Sequence, residues 1–294
     1  MSEGMVRAIV VTGCSTGIGR ACALRLAREG YTVFAGVRRE EDGRALEAES
    51  SSGIRPLLLD VTDADQIAAA VAHVESVLGS NGELAGLVNN AGVAVYGPLE
   101  LLPIETLRSV FEVNVIGHVA VTQAFIPLLR LNKGRVVMIG SSSGFLTPPF
   151  LGPYASSKCA MESITDAFRR ELAPWGIEVC IMQPGAVRTP LWDKSVGEGD
   201  SWFDSLPETA RRLYARGYTA MRKTFVKKSG KGVSAEALAD RVLDALTSKR
   251  PRARYPMGRD TVGYRILQKL PDKMVDNMLG PSLEHTHKHI EPPA

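Results

Sequence analysis

Short apolar runs rich in β-branched residues alternate with longer stretches of helical period along most of the chain. Six predicted strands come from runs at residues 8–11, 32–37, 55–59, 84–89, 135–139 and 177–182. Apolar residues at helical spacing predict the intervening helices at residues 18–28, 41–49, 64–78, 104–131 and 153–173. This alternation is typical of βαβ units, and runs such as Ile9-Val10-Val11 are apolar on both faces. We therefore predict an α/β fold with a doubly wound parallel sheet covered by helices on both sides.

The pattern changes after residue 184, where the periodicity becomes weak. Residues 188–232 contain two tryptophans and several Gly and Ser, which indicates an inserted segment. The remaining predicted elements are a helix at 234–246, a short strand at 252–255, and an amphipathic helix at 262–279 broken by Pro271. We predict a single domain over residues 1–258, with the insertion at about 188–232, followed by a C-terminal helix and frayed tail over 259–294.

Composition removes several classes of protein. Of the 294 residues, 45% are hydrophobic and 23% charged, which argues against a disordered, collagenous or disulfide-rich chain. The 35 Lys and Arg against 32 Asp and Glu give a net charge of +3, too close to neutral for the basic surface that a phosphate backbone requires. We therefore expect no nucleic-acid partner.

Neither a metal site nor a secretion signal is expected. The four cysteines form no CxxC pair, and the three histidines of the tail after residue 281 alternate with polar residues, which is typical of a solvated tail. The first residues lack the apolar stretch and small-residue cleavage site of a signal peptide. A cytoplasmic location follows as the expectation, with the cysteines reduced.

One apolar region approaches the length of a membrane span. Residues 113–131 are interrupted by Asn114, His118, Gln123, Pro127 and Arg130. They therefore fall short of the ~18 to 20 uncharged residues that a span needs. We expect no transmembrane span, and peripheral membrane association stays open.

A glycine-rich turn directly follows the first predicted strand. Its sequence, TGCSTGIG, runs from Thr12 to Gly19 and opens the first helix. Glycines at 13, 17 and 19 let the backbone turn tightly and approach a pyrophosphate, whose charge the free N–H groups of the helix favour. The sequence therefore predicts a dinucleotide site, with an ordinary βα turn as the alternative.

Further motifs follow this turn in a fixed order. They are Asn89-Asn90-Ala91-Gly92 after the fourth strand, Asn114 in the next helix, Ser141 thirteen residues before Tyr154, Tyr154-Ala-Ser-Ser-Lys158, and Pro184-Gly185 with Thr189. Together with TGCSTGIG, this order resembles the classical short-chain dehydrogenase/reductase family over about residues 6–190, and weakly to about 258. The strand end AGVRR and the sequence Arg254-Tyr255-Pro256 resemble its steroid- and retinol-dehydrogenase branch. The resemblance implies a Rossmann fold and an NAD(P)-dependent oxidoreductase acting on CH–OH groups.

The spacing of Tyr154 and Lys158 carries a chemical argument of its own. Residues four apart lie on one face of a helix, so the ammonium can approach the phenol. Bringing a tyrosine pKa from ~10 to about 7 takes roughly 4 kcal/mol of phenolate stabilisation, which Lys158 and an oxidised nicotinamide can supply. Tyr154 would then exchange a proton with the substrate oxygen, which Ser141 would hold by a hydrogen bond. Ser142 is the alternative to Ser141.

The resemblance extends to the rest of the site. It implies that Lys158 also holds the nicotinamide ribose and that Asn114 positions a water linking Lys158 to solvent. The residues predicted to bind the cofactor are Gly13, Ser15, Thr16, Gly17, Ile18, Gly19, Arg38, Asp60, Val61, Asn90, Ala91, Gly92, Tyr154, Lys158, Pro184, Gly185, Val187 and Thr189.

The end of the second strand bears on which nicotinamide is bound. NAD sites commonly place an acid here to accept from the ribose 2′-hydroxyl, whereas this chain has apolar Val37 followed by Arg38, which can pair with a 2′-phosphate. We predict NADP(H) in preference to NAD(H). The alternative is that Arg38 is an ordinary solvated residue.

The substrate is expected to be a small apolar carbonyl or alcohol, such as a steroid, a retinoid or another ketone or aldehyde. The aromatic and aliphatic candidates for its cleft, which can equally be ordinary packing, are Phe145, Leu146, Phe150, Trp192, Trp202 and Phe203. An NADP(H)-binding sensor without turnover is the alternative function. The resemblance also implies a homodimer or homotetramer, assembled through the helices at about 104–131 and 153–174.

Overall fold

The computed structural model of this protein describes residues 6–50 and 52–279. Its strands are β1 (Arg7–Val11), β2 (Thr32–Val37), β3 (Ile54–Leu58), β4 (Glu83–Asn89), β5 (Arg135–Ile139), β6 (Glu178–Pro184), β7 (Val187–Arg188), β8 (Val233–Ser234) and β9 (Arg254–Met257). Seven of them form a parallel sheet in the order β3-β2-β1-β4-β5-β6-β9, and β7 pairs with β8 separately. The predicted doubly wound parallel sheet is confirmed.

Helices cover both faces of this sheet. They are α1 (Gly17–Arg28), α2 (Glu40–Glu49), α3 (Ala64–Leu78), α4 (Ile104–Phe111), α5 (Gly117–Asn132), α6 (Gly152–Leu172), α7 (Pro190–Ser205), α8 (Glu208–Gly230), α9 (Ala235–Thr247), α10 (Arg259–Leu267) and α11 (Asp272–Leu279). Alternate strand residues serve opposite faces, because Ile9 and Val11 pack with α1 and α9 while Ala8 and Val10 pack with α3 and α5. This two-sided burial explains why the strands are apolar without alternation.

The helix predicted at residues 104–131 contains a local change of winding. A π-helical turn, Glu112–Ile116, joins α4 to α5, so the backbone is helical from Ile104 to Asn132. By length and composition alone this 29-residue helix is apolar enough to cross a membrane, with a mean hydropathy of 1.3 over its best window. Its composition therefore does not fall short of a span, contrary to the sequence expectation. In the fold, α5 packs on β4 and α3, and 44% of that window is buried.

The segment after β6 is more regular than its sequence suggests. The predicted insertion at 188–232 consists mainly of α7 and α8, which enclose a third buried cluster built around Tyr96, Phe150 and Tyr218. Pro271 separates α10 from α11, as predicted. The histidine-containing tail after residue 281 lies outside the described residues.

Candidate active site

The predicted glycine turn lies between β1 and α1, at the carboxyl edge of the central strands. Gly13 and Gly17 have φ values of +69° and +58°, a region that side chains other than glycine rarely adopt. At Gly19 a Cβ would lie 2.2 Å from the carbonyl oxygen of Gly13, so the third glycine permits close packing. Ser15 and Thr16 form the exposed side of the turn, and Ile18 is half-buried in the first helical turn.

The loop after β4 is hydrogen-bonded to this turn. The Thr12 hydroxyl accepts hydrogen bonds from the backbone N–H groups of Asn90 and Ala91, each at 2.9 Å. The Asn90 side chain donates in return to the carbonyl oxygens of Thr12 and Gly13, at 2.9 and 3.1 Å. Strand order places β1 beside β4 and reverses the winding between them, which is where doubly wound sheets bind ligands.

Three predicted catalytic side chains meet beyond β5. Ser141 follows this strand, Tyr154 and Lys158 lie in α6, and all three side chains are buried. The Ser141 hydroxyl hydrogen-bonds Tyr154, and the Lys158 ammonium lies 5.7 Å from the centre of the Tyr154 ring. Lys158 donates to the carbonyl oxygen of Ile139 at 2.8 Å. Ser142 is also buried and lines the cleft described below, but the bond to Tyr154 favours Ser141.

Burial sets the electrostatics of this group. It raises the pKa of Tyr154, and the hydrogen bond from Ser141 opposes this effect. It lowers the pKa of Lys158 to about 8. The protein groups alone thus leave the Tyr154 pKa above its usual value, and the sequence prediction relies on an oxidised nicotinamide as well as Lys158 to lower it.

Asn114 occupies the π-helical turn and is fully buried. Its Oδ1 accepts from the N–H of Val93 at 2.8 Å, and its Nδ2 donates to the Val93 carbonyl at 2.9 Å. Nδ2 also donates to the Ser157 hydroxyl at 3.0 Å, which links this turn to α6 one residue before Lys158. Gly92 lies against the same amide, since a Cβ there would stand 3.3 Å from Oδ1. π-helical turns are frequent at functional sites.

Three of the residues predicted to bind the cofactor lie at the carboxyl ends of β2 and β3. Arg38 is exposed and forms no ion pair or hydrogen bond with any residue that the structure describes, whereas Val37 before it is buried. The Asp60 carboxylate accepts from the backbone and hydroxyl of Thr62, at 3.0 and 2.8 Å. Val61 is buried against α5 at Gly117, where a Cβ would be 2.7 Å from its side chain.

The segment after β6 reaches the glycine turn. A Cβ at Gly17 would lie 3.2 Å from the Thr189 side chain, so Thr189 is in contact with this turn. Val187 is buried, and Pro184 ends β6. The structure therefore gathers the predicted residues of the turn, the β4 loop, α6 and the β6 end into one region.

An open cleft lies beside Ser141. It is lined by Ser141, Ser142, Ser143, Pro148, Leu151, Gly185, Ala186, Trp192, Phe225, Ser229, Asp260 and Tyr264. Trp192 and Phe225 stack at 6.0 Å between ring centres, and Trp192 also meets the Tyr154 ring edge-on at 5.5 Å. The partly apolar lining suits a small ligand with an apolar body.

Most aromatic residues predicted for this cleft pack elsewhere. Phe150 and Phe203 are buried with Tyr218, and Phe203 stacks on Tyr218 at 4.1 Å. Trp202 packs at Gly97, and Phe145 lies beneath the Arg265 guanidinium. Phe145, Leu146, Phe150, Trp202 and Phe203 are not among the lining residues, which leaves Trp192 from the predicted set. Amphipathic α7 and α8 need these rings to cover their inner faces.

Two polar residues at the site were missed from sequence. Asp260 reaches the cleft because β9 pairs with β6 and places the residues after both strands side by side. His118 is fully buried, and burial together with the charge of Lys158 lowers its pKa to about 3. Its Nε2 therefore carries the proton that it donates to the Ala91 carbonyl, at 2.5 Å. A histidine in an otherwise apolar helical run was the available signal.

The chain is similar to known proteins in both sequence and structure. The sequence profile described as short chain dehydrogenase matches residues 7–198. The chain is 37% identical over 279 residues to the NADPH-dependent 3-dehydrocapnine reductase of Ornithobacterium rhinotracheale, covering 93% of this chain and 96% of that protein. It is 34% identical over 284 residues to retinol dehydrogenase 16 of Rattus norvegicus, covering 91% and 86%. A short-chain dehydrogenase structure from Streptomyces avermitilis superposes with a TM-score of 0.76 at 30% identity, covering 95% and 94%.

Proposed function

This chain belongs to the short-chain dehydrogenase family, in its steroid- and retinol-dehydrogenase-like branch, and from that membership we propose that it reduces apolar carbonyl compounds, or oxidises the matching alcohols, with NADP(H). The family makes it an oxidoreductase acting on hydroxyl or carbonyl groups. The cofactor preference, the substrate class and the residue roles below are the proposal.

The observation that carries the proposal is the meeting of Ser141, Tyr154 and Lys158 beyond β5, where Ser141 lines the cleft and the Tyr154 ring contacts Trp192 of its wall. In reduction, Tyr154 donates its phenolic proton to the carbonyl oxygen while Ser141 holds that oxygen by a hydrogen bond. A bound nicotinamide supplies the hydride to the carbonyl carbon. Lys158 keeps a positive charge beside the phenol, which favours the phenolate that remains. In oxidation the same groups act in reverse.

The protein around the glycine turn fits a dinucleotide. The helix that begins after Thr16 has no side-chain cap on its N–H groups and no acid in its first turn, so it can receive a pyrophosphate. Glycine at 13 and 17 brings the backbone within reach of that charge. Beyond the turn, Asn90 and Thr189 would line the path toward α6, where Lys158 would hold the nicotinamide ribose.

The preference for NADP(H) rests on Val37 and Arg38. Val37 offers no acceptor for a ribose 2′-hydroxyl, and the exposed Arg38 has its donors available for a 2′-phosphate. A relative 37% identical over nearly the whole chain is described as an NADPH-dependent reductase, which supports the same direction. The apolar part of the cleft, including Leu151, Trp192 and Phe225, supports an apolar substrate.

Tyr154→Phe tests the assignment directly. Removing only the phenolic oxygen should lower kcat by at least ~10²-fold, the lower end of acid-base contributions, while NADPH binding is retained. Turnover of a panel of steroid, retinoid and aliphatic carbonyls with NADPH would be measured by cofactor absorbance, with calorimetry for binding. A variant as active as the wild type would refute the role of Tyr154. NADPH binding without turnover of any carbonyl would support a sensor instead.

A further inference from the structure

The cleft has an uneven charge distribution. Its lining holds one carboxylate, that of Asp260, and no Lys, Arg or His. Asp260 forms no ion pair with any residue in the described part of the chain. Arg265, in the same helix, donates to the side chain of Gln183 at 2.6 Å instead. The carboxylate is therefore a negative charge in the cleft wall with which no side chain that the structure describes forms an ion pair.

This carboxylate is held in a fixed position. Its Oδ2 accepts a hydrogen bond from the N–H of Ala186 at 2.8 Å, and its Oδ1 accepts from the N–H of Thr261 at 3.2 Å. Gly185 makes room for it, because a Cβ at that residue would lie 2.0 Å from Oδ1. A carboxylate has about four lone-pair sites, so two N–H groups leave it able to accept further hydrogen bonds.

We propose that the cleft selects carbonyl substrates that carry a protonated amine, which Asp260 binds while Ser141 and Tyr154 hold the carbonyl oxygen. Asp260 and Ser141 line the same cleft, so one molecule can contact both. The inference rests on the proposed carbonyl reduction and adds to it the charge of the substrate. It also implies discrimination against ketones that bear a carboxylate, since like charges in a partly desolvated cleft repel.

The aromatic wall supports a cation in the same place. The rings of Trp192 and Phe225 lie within 4° of parallel and line the cleft together with Tyr264. Aromatic faces attract cations through the ring quadrupole, and tryptophan does so most strongly. An ammonium group joined to an apolar body therefore matches both the carboxylate and the apolar surface. A neutral ketone would displace water from the cleft without replacing the hydrogen bonds that water gives to the carboxylate.

The test compares three substrates that share one ring and one ketone. Phenacylamine carries an ammonium beside the carbonyl, acetophenone carries no charge, and benzoylformate carries a carboxylate. The expected order of kcat/KM with NADPH is phenacylamine first and benzoylformate last. An ammonium held by a carboxylate should favour phenacylamine over acetophenone by about 10-fold or more. 3-Amino-1-phenylpropan-1-one tests a longer spacing between ammonium and carbonyl.

Asp260→Asn is the informative variant because the asparagine oxygen can still accept from Ala186 while the charge is lost. The phenacylamine to acetophenone ratio should fall toward one in this variant. Asp276→Asn is the matched control, because it removes the same charge from an exposed site on α11 outside the cleft. It should leave the ratio unchanged. A wild-type ratio near one, or a ratio that Asp260→Asn does not lower, would overturn the inference.

A binding measurement separates this inference from the proposed function. The alcohols 2-amino-1-phenylethanol and 1-phenylethanol would be titrated into the protein saturated with NADP⁺, which requires no turnover. Tighter binding of the amino alcohol that Asp260→Asn abolishes supports the ammonium subsite even if no ketone is reduced. Reduction of neutral ketones without any amine preference would leave the proposed function standing and reject the subsite.

Discussion

Lys158 is a cation held almost entirely inside the protein, with 4% of its surface exposed. Its one hydrogen bond within the described residues goes to the backbone carbonyl of Ile139, and no carboxylate pairs with it there. A buried charge with so little compensation opposes folding. This unfavourable burial agrees with the proposed role of the ammonium, which is to act on Tyr154 and on the nicotinamide ribose. The protein then loses some folding stability in exchange for activity.

This burial gives stability a predictable dependence on pH. The pKa of Lys158 is lowered from 10.5 to about 8, so between these values the unfolded chain binds the proton and the folded chain does not. The free energy of unfolding therefore rises with pH through that window, and the destabilisation is complete below pH about 8. Lys158→Met should raise Tm at pH 7, by an amount that shrinks towards pH 10.

Calorimetric melting at both pH values measures this effect. Lys269→Met is the control, because it removes an exposed lysine of the same charge and should change Tm little at either pH. The Lys158→Met protein should also lose most of its turnover. A Tm at or below that of the wild type at pH 7 would contradict the argument from burial.

Cofactor choice is a second property set by single side chains. If Arg38 meets the 2′-phosphate, the charge-assisted bond should favour NADPH over NADH by about 10- to 150-fold and weaken with added salt. Val37→Asp should reverse the preference more than Arg38→Ala, because it repels the phosphate and also accepts from a free 2′-hydroxyl. Titration calorimetry measures the affinities of both cofactors for the wild type and the two variants. Equal affinities in the wild type would make Arg38 an ordinary surface residue.

At the scale of the elements, the close packing of α1 against the turn after β1 depends on Gly19. Gly19→Ala would improve helix propensity, yet its Cβ would fall 2.2 Å from the Gly13 carbonyl and 2.4 Å from the Asn90 amide. We expect a lower Tm and a loss of NADPH affinity. Gly263→Ala in α10 is the matched control, since its Cβ meets nothing within 4 Å and should stabilise the protein by up to ~1 kcal/mol. Thermal melts and titrations of both variants measure the contrast, and equal effects would rule out the close packing.

The sequence allowed most of the framework to be predicted, because each buried strand leaves a local apolar run and the glycine turn, the Asn89–Gly92 motif and the Pro184-Gly185 pair lie at strand ends. The two helices after β6, α7 and α8, were not predicted. Aromatic residues on their inner faces are mixed with small and polar residues, which makes the helical periodicity weak. The π-helical turn at Asn114 follows from hydrogen bonds to Val93 and Ser157, both distant in sequence. The entry of Asp260 into the cleft follows from the β6–β9 pairing, which no local pattern encodes.

At the scale of the whole molecule, the helix from Ile104 to Asn132 presents apolar side chains outward. Ile104 and Ile116 are 60% and 52% exposed. We propose that this helix and α6 form an interface between copies of the chain, as a homodimer or homotetramer. Ile116→Lys should lower the sedimentation coefficient toward that of a monomer. Val262→Lys is the control, because that side chain on α10 is equally exposed, at 58%, and should not change assembly. An unchanged coefficient for Ile116→Lys would exclude this face.

The order in which the sheet is completed has a consequence for biosynthesis. Strand β6 ends at Pro184, but its neighbour β9 begins at Arg254, after α7, α8 and α9. At ~5 to 20 residues per second, translation of the intervening chain takes on the order of several seconds, during which the nascent sheet ends in an apolar strand with unpaired backbone groups. Asp260 emerges later still. The growing chain therefore carries an association-prone edge until β9 is made, and a chaperone would protect it most during that interval.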